Sequence, residues 1–171
     1  QDFYAALDGL PSADLILGVT LRTKLIDSVL EQSLKDGAGQ IVILGAGFDS
    51  RGSRFQGRLK GVLLFEVDHP PTQAHKKRRV IEVFGALPGH IRYVPMDFTR
   101  DDLLTELRKR GYSEKITTLF IWEGVTMYLP RSAVIATLHF VREYSSVGSV
   151  IVFDYYLSSY PGINNRETLV S

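Results

Sequence analysis

Five short apolar segments alternate with stretches of helical spacing, and this alternation limits the chain to few folds. The apolar segments are rich in Val, Ile and Phe and occupy residues 40–45, 61–68, 90–97, 117–124 and 149–156. Apolar residues recur at helical spacing in residues 20–37, 70–85, 99–112 and 130–148. Strands buried on both faces have nearly continuous apolar sequences, and strand–helix alternation is typical of a parallel sheet covered by helices. We therefore predict an α/β fold with a doubly wound, mostly parallel sheet.

Local signals give these helices expected faces and boundaries. The first helix carries one apolar stripe, made of Leu21, Leu25, Val29 and Leu30. Thr99 is the expected N-cap of the helix over 99–112, because two acids stand in the first turn and bases come late, as the helix dipole favours. The tail, residues 157–171, is polar and rich in turn residues, so we expect a loop or a ragged end there.

The composition indicates one globular domain and excludes several classes of partner. The chain has 171 residues, and we treat residues 1–171 as a single domain with its core in residues 20–156. The formal net charge is +1, so no overall field attracts nucleic acid or an anionic membrane. The basic run at 76–79 is interpreted as a solvated helix face. No apolar run reaches the roughly 18–20 residues of a membrane helix, and we expect a cytoplasmic protein.

Cysteine and histidine usage limits the possible chemistry. The chain has no cysteine and four histidines. Disulfides, thiolate catalysis and cysteine-ligated metals are therefore excluded for this sequence. No pair of histidines has the spacing of metal ligands, so no metal site is expected. His69 directly follows a strand end and is placed near the expected ligand.

Polar and small residues collect at the carboxyl ends of the predicted strands. They are Gly45, Ala46, Gly47 and Asp49 after the first strand, then Glu66, Asp68, Asp97, Glu123 and Asp154 at the other four. In an open parallel sheet the ligand binds beyond these ends, near the point where strand order reverses. Glycine there allows a tight turn and a close approach of a ligand to the backbone. We therefore expect the binding site at this edge.

The glycine segment favours an adenosine ligand that carries no phosphate. It contains only G-x-G: Ser50 stands where the dinucleotide fingerprint has its third glycine, and no G-K-[ST] follows. Asp68 ends the next strand, where a carboxylate accepts both hydroxyls of a ribose. S-adenosylmethionine fits these features better than NAD, because it lacks phosphates and its positive sulfonium suits a mouth lined with carboxylates.

Five motifs carry a family resemblance. "QIVILGAGFDSR", "FEVDHP", "VPMDF", "FIWEGVTMYLP" and "GSVIVFDYY" follow one another at successive strand ends. Their order and context resemble the leucine carboxyl methyltransferase-like family of class I S-adenosylmethionine-dependent methyltransferases. The resemblance covers residues 20–156 and implies a Rossmann-like methyltransferase fold.

The resemblance also implies roles for single residues. Arg22 is similar to the arginine that holds the methionine carboxylate, and Glu123 to the acid beside the methionine amino group. The glycine segment, Gly45, Ala46 and Gly47, is expected to lie under the cofactor. Asp68 is expected at the ribose with Glu66 nearby, and of these two acids we expect only Asp68 to face the ligand. Asp97 and Phe98 are expected at the adenine, and Tyr128 at the mouth.

The sequence also departs from this family. Family members carry two more strands after the fifth motif, whereas 15 residues follow Tyr156 here. We therefore expect a domain that is truncated at its C-terminus and lacks the last strands. The acceptor pocket falls in that region, and no residue is assigned a catalytic role.

The expected function is methyl transfer to an oxygen acceptor, a carboxylate or hydroxyl of a small molecule. A carboxylate is ionised at neutral pH and needs no general base. A hydroxyl needs one, and His69, Tyr128 and Tyr155 are the candidates. Three alternatives stay open: a non-catalytic S-adenosylmethionine-binding domain, a methyltransferase acting on protein C-termini, and an NAD-dependent oxidoreductase, which the missing third glycine disfavours.

Overall fold

Five parallel strands form the centre of the part of the chain that the structure describes. The structure is a computed structural model and describes residues 13–155. The strands are β1 (Gln40–Leu44), β2 (Leu63–Asp68), β3 (Ile91–Pro95), β4 (Thr118–Trp122) and β5 (Val150–Phe153). Their order across the sheet is β3-β2-β1-β4-β5, and every neighbouring pair is parallel. The predicted doubly wound α/β sheet is confirmed, and strand order reverses at β1.

Within residues 13–155, five helices connect or flank these strands. They are α1 (Ala13–Lys35), α2 (Arg51–Arg54), α3 (Pro70–Phe84), α4 (Leu103–Arg108) and α5 (Arg131–Glu143), and a 3₁₀ turn, Thr126–Tyr128, follows β4. The short helix α2 was not predicted. The predicted loop over 157–171 lies outside the described residues.

Alternate residues of the strands pack into two separate hydrophobic cores, one on each face of the sheet. Val42, Leu44 and Phe120 pack with residues of α4 and α5 on one face. Ile41 and Ile43 pack with Ile26 and Leu30 of α1 on the other. Because successive side chains of a strand point to opposite faces, an unbroken apolar strand supplies both cores. This is why the strand sequences show no polar alternation.

The buried face of α1 differs from the predicted stripe. Leu30 is fully buried and Val29 half-buried, but Leu21 and Leu25 are exposed. Ile26 takes the buried position instead, one helical turn before Leu30. A stripe that includes Leu21 cannot face the sheet, because Arg22 and Thr23 turn toward the carboxyl edge of β4 to reach Glu123.

Helix α4 is shorter than predicted and begins later. Its N-cap is Asp102, whose side chain accepts a hydrogen bond from the backbone amide of Thr105. The predicted cap, Thr99, is wrong because its amide and hydroxyl both donate to the carboxylate of Asp97. Local side-chain bonds of this kind compete with a helix and hold residues 97–101 in a turn.

Strand β5 forms one outer edge of the sheet. It is the least buried strand, and both of its end residues, Val150 and Phe153, are exposed. Among residues 13–155 no strand pairs with its second edge. In the same range, no helix is long and apolar enough to cross a membrane.

Candidate functional site

A cavity of about 480 Å³ opens where strand order reverses, at the carboxyl ends of β1 and β4. The glycine segment after β1 forms one wall, and residues of α1 and α2 complete it. Of the predicted site residues, five line this cavity: Arg22, Gly45, Ala46, Gly47 and Glu123. The fold therefore brings together residues that are up to 101 positions apart in the sequence.

The glycine segment turns sharply at the end of β1. Gly45 has φ +68° and Gly47 φ +42°, in the left-handed region that favours glycine. A Cβ at Gly45 would lie 2.4 Å from Cγ2 of Val125, so the segment after β4 is packed against its backbone. A Cβ at Gly47 would meet only Gly45 O, at 3.9 Å. The backbone at Gly47 is therefore open to a ligand.

Arg22 joins α1 to the ends of the last two strands. Its Nε lies 2.8 Å from Glu123 Oε1, and its Nη1 lies 2.7 Å from Asp154 Oδ2. Asp154 also accepts a hydrogen bond from the amide of Gly124 at 2.7 Å. The arginine thus lies between the two carboxylates that follow β4 and β5, on the rim of the cavity.

Arg51 joins three elements beneath the same cavity. Its Nε donates to Asp27 of α1 at 2.8 Å, and its Nη1 contacts Asp49 and Glu123 Oε2, the latter at 2.9 Å. Burial favours the neutral guanidine, but Asp49, Asp27 and Glu123 together hold the pKa of Arg51 above its ordinary value. The guanidinium is therefore a fixed positive charge with three carboxylate neighbours, one at Nε and two at Nη1.

Asp27 also forms an ion pair with a second arginine, Arg54. Its Oδ2 lies 2.7 Å from Arg54 Nη1. Burial raises the pKa of Asp27, but the hydrogen bonds from Arg54 and Arg51 outweigh it and leave that pKa below its ordinary value. Asp27 therefore stays ionised beneath the cavity at neutral pH.

Asp68 touches the glycine segment from the end of β2. Its Oδ2 accepts a hydrogen bond from the amide of Gly47, and its Oδ1 one from the amide of His69 at 2.7 Å. Each carboxylate oxygen can accept a second hydrogen bond. Asp68 is therefore placed beside the cavity with acceptor capacity left for a ligand.

Glu66 is not brought to the cavity. It lies on the same face of β2 as Asp68 but deeper under α3, it is 1% exposed, and its Oε2 is 2.7 Å from Nζ of Lys76. Burial raises the pKa of Glu66, and Lys76 partly offsets this. Lys76 also donates to the backbone oxygen of Asp49 at 2.7 Å. This ion pair therefore supports the glycine segment from below.

Asp97 and Phe98 also lie apart from this cavity. Hydrogen bonds from Thr99 hold the pKa of Asp97 below its ordinary value. Phe98 lines a separate groove of about 360 Å³ between α4 and α5. The predicted adenine contacts of these two residues stay predictions.

The sequence interpretation gave no site role to Arg51 or Asp27. The local signal for Arg51 is an arginine directly after the glycine segment, in "DSR". Sequence alone does not tell a buried arginine from a solvated one. Within residues 13–155, moreover, no group of histidine and acidic side chains is arranged to hold a metal ion.

Comparison with known families identifies the family to which the chain belongs. The sequence profile of the leucine carboxyl methyltransferase family matches residues 7–142. Because this covers most of the sequence, the chain belongs to that family, and the resemblance drawn from its motifs is confirmed.

Bacterial relatives give the same assignment. YktD of Bacillus subtilis is 37% identical over 134 residues, which cover 78% of this chain and 44% of that protein. A relative from Mycolicibacterium gilvum is 35% identical over 77% of this chain and 42% of its own length. Both are named provisionally as S-adenosyl-L-methionine-dependent methyltransferases. The chain spans about half the length of the curated relatives it matches.

Solved structures share the fold at low sequence identity. The S-adenosylmethionine-dependent methyltransferase SibL superposes with a TM-score of 0.55 at 13% identity, over 90% of this chain and 42% of that one. An O-methyltransferase family protein from Burkholderia thailandensis gives a TM-score of 0.55 at 14% identity, over 78% and 37%. At such identities the likeness shows the fold alone, here the Rossmann-like methyltransferase fold.

Proposed function

We propose that this protein binds S-adenosylmethionine and transfers its methyl group to an oxygen of a small molecule. One observation supports the proposal most: two arginines share Glu123 beside an open glycine segment, at the edge where a sheet of this kind binds its ligand. The family's motifs and the provisional names of the relatives point the same way.

The charges of the site fit this cofactor. Arg22, Arg51 and Arg54 face four carboxylates, those of Asp27, Asp49, Glu123 and Asp154, and Asp68 adds a fifth, so the site has an excess of negative charge. S-adenosylmethionine carries an ammonium, a sulfonium and a carboxylate, one positive charge in excess. Arg22 would hold the carboxylate, Glu123 the ammonium and Asp68 the ribose hydroxyls. When bound, the cofactor supplies an activated methyl group, and these residues orient it.

We favour a carboxylate acceptor, the group that the family's name describes. Among the described residues that line the cavity there is no histidine, lysine, cysteine or tyrosine, and both acids, Asp49 and Glu123, are paired with arginine. Neither acid is therefore poised to take a proton from a hydroxyl. A carboxylate acceptor is already ionised at neutral pH, so alignment of the two reactants is the main requirement.

Calorimetric titration with S-adenosylhomocysteine tests the cofactor. We expect binding that Asp68→Ala weakens by about tenfold or more, because hydrogen bonds to a charged group are lost at the ligand and at Gly47. Asp36→Ala, which removes an exposed acid bonded to Gln32, is the matched control and should bind as the parent does. Binding of NAD in preference to S-adenosylhomocysteine would contradict the proposal.

The chemistry of the transferred methyl group distinguishes the two oxygen acceptors. The protein is incubated with methyl-tritiated S-adenosylmethionine and a small-molecule extract, and the product is treated with mild alkali. We expect volatile tritiated methanol, because a methyl ester hydrolyses in alkali whereas a methyl ether does not. Alkali-stable label would indicate a hydroxyl acceptor. In a parallel reaction with a protein extract, label confined to the extract's proteins would indicate the alternative that methylates protein C-termini.

A further inference from the structure

Glu123 is held by two arginines that differ in their surroundings. Arg22 binds Oε1 from the rim and is 29% exposed, whereas Arg51 binds Oε2 from below and is 3% exposed. A ligand that enters the cavity can reach the outer arginine. The inner arginine is closed off from solvent by the protein around it.

Arg51 is also the more firmly anchored of the two. Asp27 holds its Nε, Asp49 contacts its Nη1, and the Asp49 carboxylate in addition accepts the backbone amide of Arg51 at 2.7 Å. These partners belong to α1 and to the segment after β1. A guanidinium fork is suited to several carboxylates at fixed angles, which a single ammonium cannot match.

We propose that Arg51 is a positioning residue that holds Glu123 in place when the amino-acid end of S-adenosylmethionine engages Arg22. This inference rests on the proposed function. Once Arg22 binds the ligand's carboxylate, Oε1 of Glu123 is available to the ligand's ammonium. Oε2 stays bonded to Arg51, so the partly buried carboxylate keeps one counter-ion throughout and keeps its orientation.

Arg51 acts through Glu123, so its replacement should affect one part of the ligand selectively. The test compares Arg51→Lys with the parent protein, using S-adenosylhomocysteine and its analogue without the amino group. We expect Arg51→Lys to lower the affinity for S-adenosylhomocysteine by about tenfold or more, which corresponds to the loss of one hydrogen bond to a charged group. The affinity for the deaminated analogue should change by less than about twofold, because this analogue has no ammonium for Glu123 to bind.

Two further variants complete the experiment. Arg51→Met removes the charge and should show the same selectivity with a larger loss. Arg58→Lys changes an exposed arginine paired with Glu31 and should leave both ligands unaffected. Circular dichroism of each variant at the titration temperature establishes that it is folded.

The outcomes separate this inference from the proposed function. Equal weakening of both ligands would overturn it, because Arg51 would then only shape the glycine segment. Unchanged binding of both ligands by Arg51→Lys and Arg51→Met would overturn it as well. If the parent protein binds neither ligand, the proposed function itself is wrong, and the positioning role falls with it.

Discussion

Replacing Lys76 by methionine is expected to lower the free energy of unfolding by about 3–5 kcal/mol at neutral pH, the cost of leaving one member of a buried ion pair alone. Glu66 is 1% exposed and Lys76 is 6% exposed. Lys76 is the cation that contacts the Glu66 carboxylate, and its loss also takes a donor from the backbone oxygen of Asp49. Urea denaturation measures the effect.

The loss should depend on pH in a defined direction. Burial already raises the pKa of Glu66, and removing Lys76 raises it further. A carboxyl whose folded pKa lies above its unfolded pKa stabilises the fold at low pH and loses that contribution as pH rises through the folded pKa. The difference between the variant and the parent should therefore be largest at about pH 8 and shrink toward about pH 5.

Two comparisons isolate the charge. Adding Glu66→Gln to Lys76→Met removes the orphaned carboxylate and should recover part of the stability at neutral pH. Arg78→Met, an exposed change on the same helix, should have little effect. A loss that is equal at about pH 5 and pH 8 would show that packing of the lysine stem, rather than its charge, matters at this position.

Replacing Gly45 by alanine is expected to cost about 2–4 kcal/mol, from a backbone strained at positive φ and from overpacking. Gly45 has φ +68°, and the new Cβ would lie 2.4 Å from Cγ2 and 3.0 Å from Cγ1 of Val125. The segments after β1 and β4 would have to separate, and both contribute residues to the lining of the cavity.

Gly61→Ala is the matched control for this change. Gly61 has φ +80°, but nothing lies within 4 Å of the position that its new methyl group would take. It should therefore show only the backbone cost of a left-handed alanine, about 1–2 kcal/mol. Val125→Ala in the Gly45→Ala background removes the two clashing methyl groups, leaves the Cβ of residue 125 at 3.3 Å, and should recover part of the loss. An equal loss in both single variants would show that the contact with Val125 costs nothing.

The sheet could be predicted from the sequence because each strand is a mostly apolar run of strand length, bounded by turn residues or a helical pattern. The helix boundaries could not, because they depend on local competition. The residues around Thr99 predict that it caps a helix. Its hydrogen bonds go to Asp97 instead, and Asp102 is the N-cap. The buried face of α1 could not be predicted either, because it depends on a contact distant in sequence, the ion pair between Arg22 and Glu123.

The candidate site could be predicted only in part. Glycines and acids at strand ends are visible in a sequence, because parallel strands bring their carboxyl ends to one edge. Depth within the fold is not visible. Glu66 and Asp68 differ by two positions, but one is buried under Lys76 and the other contacts Gly47. Arg51 was missed because its partners come from three separate elements.

The ion pairs of Arg22 have a consequence for folding kinetics. They close loops of 101 and 132 residues, from α1 to the ends of β4 and β5. Because closing such long loops costs chain entropy, we expect these contacts to form late in folding. Interactions absent from the transition state act on the unfolding rate. A molecule held by this cluster would therefore prolong the lifetime of the native state and leave the speed of folding almost unchanged.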